Sequence, residues 1–287
     1  MNMPPILLAA FYMSGAIVSF TSMAIAGRAV RQEFDTFEIM MYRSILGIII
    51  VIAVAGYAGT LNQITRNRLS LQFLRNLFHF TGQNLWFYAL PIIPLGQLFA
   101  LEFTSPLWVI LLAPFFLGER LTPVRAFAAA LGFIGVMLVA RPDTGGLSIG
   151  ILAAALAAIA FAGTTICTKV LTGTERITSI LFYLTLMQAI FGIVCAGFDG
   201  DIKLPTADAT PWLFLIGCAG LLAHFCMTKA LSVAPAVVVI PFDFARLPVI
   251  VIIGVLFYNE PLEYVALLGA LIILTANYLN IRAEGRR

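Results

Sequence analysis

The sequence predicts an all-α integral membrane protein whose ten transmembrane helices form two inverted repeats of five helices. Three observations support this fold class. Hydrophobic residues make up 61% of the 287 residues and charged residues only 11%, against about 25% charged residues in ordinary soluble domains. Apolar stretches long enough to cross a membrane follow one another with short connections. The two halves of the chain also carry the same residue pattern.

Most of the chain consists of apolar stretches of roughly 20 residues, the length a helix needs to cross the hydrocarbon core. A run such as residues 48–55 is apolar on every face, whereas a barrel strand alternates at every second residue. The first stretch lacks a basic leading region and is too long for the core of a signal peptide, so we interpret it as a span. The predicted spans are approximately 5–27, 36–57, 70–90, 94–117, 122–140, 147–168, 177–198, 210–229, 236–258 and 262–281.

The second half of the chain repeats the first at an offset of 141 residues. A Pro/Gly-containing loop divides the repeats, 1–141 and 147–287, which we expect to form one integrated transmembrane unit. Because each repeat has an odd number of spans, the second must enter the membrane from the opposite side. Inverted repeats are typical of transporters whose substrate site lies between the repeats near mid-membrane. Matching residues include Phe20 and Phe161, Arg28 and Lys169, Tyr42 and Tyr183, Pro94 and Pro235, and Glu119 and Glu260.

Basic residues next to the span ends predict that both termini lie in the cytoplasm. With that orientation eleven Lys and Arg residues flank the spans on the inside, and only Arg28, Arg31, Arg141 and Lys203 lie outside. We therefore expect a multi-pass protein of the bacterial inner membrane. The net charge of +3 reflects this bias, so the expected partners are the lipid bilayer and a small molecule and do not include nucleic acid.

Prolines occur at corresponding places in the fourth and ninth spans. A proline within a span frees a carbonyl group and kinks the helix, which is tolerated where protein or a water-filled cavity satisfies the backbone. Broken helices at matching positions of two repeats indicate a transport pathway, although prolines also occur in membrane helices without such a role. The hinge candidates are Pro94 and Pro106 in the fourth span and Pro235, Pro241 and Pro248 in the ninth.

Four charged residues lie deep in the predicted spans, where each costs about 2.5–3.5 kcal/mol and needs a partner or a purpose. Glu102 and Asp243 are equivalent under the repeat offset. Asp243 and Arg246 are three residues apart and can pair on one helix face, and this structural pairing is the alternative to substrate binding. Otherwise Arg246 is suited to a substrate carboxylate and Glu102 to an amine or a proton, unless Arg43 pairs with Glu102.

The third span carries a polar stripe in an otherwise apolar helix. Arg75, His79, Gln83 and Trp86 follow at spacings of four, four and three, which place them on one face. We predict that His79, Gln83 and Trp86 line a substrate cavity; the alternative for His79 is an interhelical hydrogen bond. Tyr42 is a further candidate by its depth.

The residues do not support a cofactor or a metal centre. His224 lies in the equivalent span and is interpreted as structural. A zinc site needs three or four ligands, which two histidines and scattered thiols do not supply.

Short segments of the sequence resemble a known family. Residues 118–121 and 259–262, Gly-Glu-Arg-Leu and Asn-Glu-Pro-Leu, are similar to the paired signature that ends spans four and nine of EamA-type drug/metabolite transporters. Residues 42–46 resemble that family's arginine-bearing start of span two. The resemblance covers nearly the whole chain and departs at Arg120 and Asn259. It implies a single-chain secondary carrier with a central cavity, most similar to exporters of aromatic and hydrophobic amino acids.

We therefore expect a secondary-active transporter that is not an enzyme and that exports small metabolites, foremost amino acids, by alternating access. Because no ATP-binding motif occurs, a gradient must drive it, and proton coupling is one candidate. The alternatives are a carrier of another metabolite (a nucleoside, a vitamin or a compound like S-adenosylmethionine), an intramembrane lipid-modifying enzyme and a passive channel. Glu119 and Glu260 are expected to be structural residues at span ends.

Overall fold

Long apolar helices make up most of the protein, and polar residues mark their ends. Asp35 accepts a hydrogen bond from the backbone N–H of Glu38, whose carboxylate accepts one in return from the N–H of Asp35, both at 2.8 Å. This capping box satisfies two amides that the first turn of a helix leaves unpaired. The computed structural model describes residues 4–116, 123–140, 148–198, 200–234, 239, 242–243, 245–261 and 264–284.

The helices are numbered in chain order. They are α1 (Pro5–Val30), α2 (Thr36–Tyr57), α3 (Leu69–Ala89), α4 (Leu95–Glu102), α5 (Ser105–Phe116), α6 (Pro123–Ala140), α7 (Ile149–Thr172), α8 (Ile177–Ala196), α9 (Thr210–Val233), α10 (Arg246–Tyr258) and α11 (Tyr264–Glu284). Each of these is one span, except that α4 and α5 together form the fourth span. In the ninth span, the described residues 239 and 242–243, which precede α10, are also helical. The predicted architecture of ten helices in two inverted repeats is confirmed.

Five of the described helices are long and apolar enough to cross a membrane undivided, namely α1 from Leu7, α2, α7, α8 and α9. The third span, α3, is more polar because it carries the stripe of Arg75, His79 and Gln83. The fourth span is divided into two shorter helices. The polar and broken spans are therefore the ones expected to contribute to a site.

The helix contacts are consistent with a two-fold relation between the two repeats. In the first repeat α1 packs along α9, and its counterpart α7 packs along α3. The other spans pack on their counterparts: α2 on α8, α6 on α11, and the fourth span on the ninth through α4 and α10. Swapping the repeats leaves this set of pairs unchanged, as an approximate two-fold relation between them requires. The interface between the repeats therefore passes through the middle of the protein.

The fourth span breaks directly after Glu102. The chain turns at Phe103 and Thr104, where the Thr104 hydroxyl donates to the carbonyl of Leu101 at 2.7 Å, and α5 begins at Ser105. Pro106 is the second residue of α5, a position where a helix needs no amide hydrogen.

The ninth span has a corresponding break between Asp243 and Arg246. Ala245 forms a turn there, with its N–H donating to the carbonyl of Phe242 at 3.2 Å, and α10 starts at Arg246. Pro248 is the third residue of α10. In both spans a carboxylate precedes the break and a proline lies in the first turn after it.

The two ends of the bundle are distinguished by their connections. The proximal end is where α1 begins, and it carries the α2–α3 and α7–α8 connections. The distal end carries the α1–α2, α3–α4 and α8–α9 connections.

The contact between α6 and α11 depends on a glycine. A Cβ atom at Gly135 would lie 2.7 Å from the carbonyl oxygen of Gly269 and 2.7 Å from a side-chain carbon of Ile273. The substitution Gly135→Ala is therefore expected to push the helices apart and destabilise the protein by about 1–3 kcal/mol, the usual cost of overpacking. The measurement is the midpoint of thermal unfolding of the detergent-solubilised protein, followed by size-exclusion chromatography.

Gly56→Ala is the matched control for that substitution. Gly56 also lies in a helix, but the nearest atom to its added Cβ would be 3.9 Å away, on Leu61. Alanine there is expected to be neutral or stabilising by up to about 1 kcal/mol, because it has the higher helix propensity. Equal midpoints for the two variants would contradict the close α6–α11 contact.

Candidate functional site

A cavity of about 160 Å³ lies between the two repeats. The first repeat contributes residues of α1, α3, α4 and α5, and the second contributes residues of α7 and α9 together with Asp243 and Arg246. On α7 and α9 the lining residues, Phe161 to Thr168 and His224 to Leu231, come from the proximal halves of the helices. The cavity is therefore central and extends towards the proximal end.

A buried ion-pair cluster lies at the two helix breaks. Arg246 is 3% exposed, and its Nη2 donates to Glu102 Oε1 at 2.7 Å and to Asp243 Oδ2 at 2.8 Å. Two carboxylates share one guanidinium, so the cluster has a formal net charge of −1. Glu102, for which the sequence left Arg43 open as a partner, pairs instead with Arg246 across the repeats.

Aromatic rings surround this cluster. The guanidinium carbon of Arg246 lies 4.9 Å from the ring centres of Phe20 and Phe99 and 5.1 Å from that of Phe103, within the range of cation–π attraction. Trp86 donates from Nε1 to the second oxygen of Glu102 at 2.8 Å. Trp86 and Arg246 thus fix both oxygens of this carboxylate at the cavity wall.

Gln83 also lines the cavity, and Arg43 holds its side-chain oxygen. Arg43 Nη1 donates to Gln83 Oε1 at 2.7 Å. Arg43 is buried, and its guanidinium packs against Gly220, where an added Cβ would come within 2.9 Å of it. Gly220 is the residue that the repeat offset makes equivalent to His79.

The proximal part of the cavity is rich in hydrogen-bond donors. The rings of His79 and His224 meet edge to face with centroids 4.6 Å apart. Arg75 is 1% exposed and donates from Nε to the hydroxyl of Thr168 at 2.8 Å. Neither nitrogen of His79, nor Nη1 of Arg75, nor Nε2 of His224 has a hydrogen-bond partner among the described residues.

The distal end above the cavity is closed by Arg28 and Glu260. The two side chains form an ion pair, and Arg28 also donates to the carbonyl groups of Leu90 and Ile93 at 3.0 Å. The second oxygen of Glu260 accepts the N–H of Leu95, the first residue of α4, at 2.8 Å. These contacts join α1, the α3–α4 connection and the turn after α10.

The backbone conformation after α10 brings Glu260 to its contacts with Arg28 and Leu95. Asn259 adopts a left-handed conformation with φ of 53°, which asparagine tolerates better than most residues. The N–H of Glu260 then donates to the carbonyl of Gly254 at 3.1 Å. Glu260 therefore caps α4, a helix of the other repeat. Its counterpart Glu119 lies outside the described residues.

Of the predicted substrate-binding residues, six line the cavity: His79, Gln83, Trp86, Glu102, Asp243 and Arg246. Tyr42 lies apart, because its hydroxyl donates to the carbonyl of Lys203 at 2.6 Å at the distal surface. Among the hinge candidates, Pro106 lines the cavity beside the first break, and Pro248 follows the second. Pro94 is the N-cap of α4 and starts that span. Pro235 and Pro241 lie outside the described residues.

Several polar residues of the cavity were not predicted from the sequence, among them Arg75, His224 and Thr168. Arg75 belongs to the stripe but is predicted to flank its span, whereas the structure buries it. His224 is predicted to be structural, yet its ring contacts His79. Thr168, which holds Arg75, carries no signal of its own. For Arg75 the signal is present, because a spacing of four places it on the face of His79.

The comparison with family models decides the identity. The model of the EamA-like transporter family matches twice, over residues 7–141 and 148–282. The chain belongs to the EamA-like transporter family. It is a transmembrane transporter of small metabolites, as the relatives of this EamA-like protein also indicate.

Three of the relatives represent the substrates for which such proteins are named. The S-adenosylmethionine uptake transporter of Rickettsia bellii is 28% identical over 269 residues, which cover 94% of this chain and 91% of the relative. The riboflavin transporter of Rhizobium johnstonii is 36% identical over 209 residues, 72% of this chain and 68% of the relative. The pseudopaline exporter CntI of Pseudomonas aeruginosa is 24% identical over 267 residues, 91% of this chain and 92% of the relative. These names fit the carrier of another metabolite better than the amino-acid exporter that the sequence suggested.

The fold of this EamA-like protein also matches a solved structure. A protein crystal structure with 17% sequence identity superposes with a TM-score of 0.69 and covers 97% of this chain and 98% of its own. At this identity the match concerns the fold alone.

Proposed function

We propose that the protein is a secondary-active carrier of a small organic zwitterion of the S-adenosylmethionine kind, working by alternating access in a bacterial inner membrane. The observation that carries this proposal is the buried cluster of Glu102, Asp243 and Arg246 at the two helix breaks, in the wall of a cavity between the repeats. Intramembrane charges mark substrate or ion pathways. Discontinuous helices at matching positions of inverted repeats are typical of carrier sites.

The charges of the cavity favour a charged substrate over a neutral one. S-Adenosylmethionine carries a sulfonium, an ammonium and a carboxylate group beside an adenine ring. The cluster has one negative charge in excess and suits a cation, and Phe20, Trp86 and Phe161 offer aromatic surface in the same cavity. Two relatives from Rickettsia, of which the alignments cover 91% and 90%, are named for this substrate.

The size and closure of the cavity support alternating access. Ligand pockets usually measure about 300–1,000 Å³, whereas this cavity measures about 160 Å³, so such a substrate enters only when the repeats move apart. The distal end is closed by Arg28 and Glu260. We assign the proximal end to the cytoplasm, with both termini there, from the distribution of basic residues. The repeats, 1–141 and 147–287, would rock about the breaks beside Pro106 and Pro248.

Proton coupling is part of the proposal. Two carboxylates share one guanidinium, so Arg246 balances only one of the two negative charges. A substrate cation or a proton can balance the other. A carrier that exchanges the two would couple substrate movement to the proton gradient.

The test is counterflow in proteoliposomes, preloaded in turn with S-adenosylmethionine, riboflavin, phenylalanine and leucine, with and without a proton gradient. We expect exchange of labelled S-adenosylmethionine, and about tenfold less exchange by Trp86→Phe, which keeps the ring but loses the N–H that orients Glu102. Trp212→Phe is the matched control, because Trp212 is 40% exposed and lies outside the cavity. Exchange of phenylalanine or leucine in place of S-adenosylmethionine would contradict the proposed substrate class.

Riboflavin is the second candidate. The relative named for it has 36% identity, the highest among the three relatives described above. An isoalloxazine ring can stack on the aromatic side chains of the cavity. Riboflavin has no cation for Glu102 and Asp243, so exchange of riboflavin that persists unchanged in Glu102→Gln would favour it.

A further inference from the structure

We infer that the proximal part of the cavity is an anion site in which Arg75, with His79, His224 and Thr168, binds the carboxylate of the substrate. This inference rests on the proposed function and deepens it. It assigns the carboxylate and the cation of the substrate to opposite ends of one cavity. The substrate would therefore be an extended zwitterion.

The first observation is that Arg75 is buried without a compensating charge. Its side chain is 1% exposed, and its hydrogen bond is to the hydroxyl of Thr168. Among the described residues no carboxylate pairs with it. A buried guanidinium without an acidic partner is costly, and an anionic ligand would remove that cost.

The second observation is that donors around Arg75 are left without partners inside the cavity lining. Nη1 of Arg75, both nitrogens of His79 and Nε2 of His224 are buried, and none has a hydrogen-bond partner in the described part of the chain. A neutral imidazole supplies one N–H donor. Buried polar groups are normally satisfied, so a shared set of unsatisfied groups along one cavity wall indicates a ligand.

The third observation separates this end from the ion-pair cluster. Nη2 of Arg246 already donates to both Glu102 and Asp243, so a substrate carboxylate there would meet two like charges. Arg75 and Trp86, which holds Glu102, are eleven residues apart on α3, or about 16 Å along a helix axis. The geometry thus assigns the carboxylate to Arg75 and the cation to Glu102 and Asp243.

A simple amino acid does not satisfy both ends at once. Its ammonium and carboxylate groups share one carbon atom, whereas Arg75 and Trp86, which belong to the two sites, lie eleven positions apart on α3. A substrate whose second cation is several bonds from its carboxylate, such as a sulfonium or a side-chain ammonium, fits the two sites better.

The test uses two pairs of probes that differ only by the carboxylate: S-adenosylmethionine against its decarboxylated form, and lysine against cadaverine. Isothermal titration of the purified protein is expected to show about 10- to 100-fold tighter binding of the carboxylated member of a pair, the range for a hydrogen bond to a charged group. Arg75→Gln is expected to reduce this preference to less than about threefold, and Arg75→Lys to keep part of it because the charge remains.

The outcomes separate this inference from the proposed function. Equal affinity for both members of each pair in the wild-type protein would overturn the anion site, even if Arg75→Gln cannot be purified. A preference that survives unchanged in Arg75→Gln would overturn the role of Arg75. Absence of binding by all four probes, together with counterflow of riboflavin, would overturn the zwitterion site and leave a carrier.

Discussion

Arg246→Ala is expected to abolish transport and to lower stability more than any other single substitution in the cavity. It leaves Glu102 and Asp243 buried side by side without the guanidinium that both accept from. Removing one partner of a buried pair costs about 3–5 kcal/mol, and here two like charges remain. The measurements are counterflow of S-adenosylmethionine and the thermal midpoint of the protein in detergent.

A triple variant separates the structural from the functional part of this effect. In Arg246→Leu/Glu102→Gln/Asp243→Asn no buried charge of the cluster is left unpaired, so most of the lost stability is expected to return. Transport is expected to stay absent, because the cavity no longer carries the negative charge that attracts a cation. Full transport by the triple variant would show that the cluster is a structural ion pair. Recovery of neither stability nor transport would show that the charges are needed for folding.

The depth of these charges and the pairing within one helix can be predicted from the sequence, whereas the pairing across the repeats cannot. The repeat offset identifies Glu102 and Asp243 as equivalent, and the spacing of three predicts the contact between Asp243 and Arg246. Offset and spacing give a position along a helix but not the rotation of one helix against another. The ion pair between Arg246 and Glu102 joins the two repeats, so only the structure could identify it.

The two histidines show the same limit of sequence symmetry. His224 lies four residues beyond the position equivalent to His79, which is occupied by Gly220. In the sequence this one-turn shift is a mismatch, and it favours a structural role for His224. In the structure Gly220 makes room for Arg43, and the shift brings the two imidazole rings together. Two equivalent helices that meet near the axis relating the repeats can therefore contact each other through residues that are not equivalent in the sequence.

The broken spans are predictable because proline fixes the backbone in a known way. Matching prolines indicate that the fourth and ninth spans are interrupted, and Pro106 and Pro248 lie in the first helical turn after each break. The location of Glu260 is not predictable in the same way. Its contacts with Arg28 and with the N–H of Leu95 join segments far apart in the sequence. Glu260, which was expected to be a structural residue at the end of its own span, therefore closes the distal end between the repeats.

Glu260→Gln is expected to open that distal end. The substitution removes the charge that Arg28 pairs with and weakens the cap on α4, so the closed state loses about 1.5–3 kcal/mol, the value of a charge-assisted hydrogen bond. A shift of that size changes the population of an open state about 10- to 100-fold. The reporter is the substitution Ile93→Cys in a background that lacks the four native cysteines, because Ile93 is 5% exposed beside this contact. The measurement is labelling of the introduced thiol by a membrane-impermeant maleimide.

Glu33→Gln is the matched control for the distal closure. Glu33 is also a distal carboxylate, but it accepts from Thr206 in the α8–α9 connection and does not contact Arg28. The substitution Glu33→Gln should therefore leave the labelling at position 93 unchanged, and equal labelling in both variants would exclude Glu260 as the closing residue.

The repeat relation extends this test, because Glu119 and Lys169 are the counterparts of Glu260 and Arg28. If they close the proximal end in the opposite state, Glu119→Gln should slow distal labelling, since it destabilises the conformation in which the distal end is open.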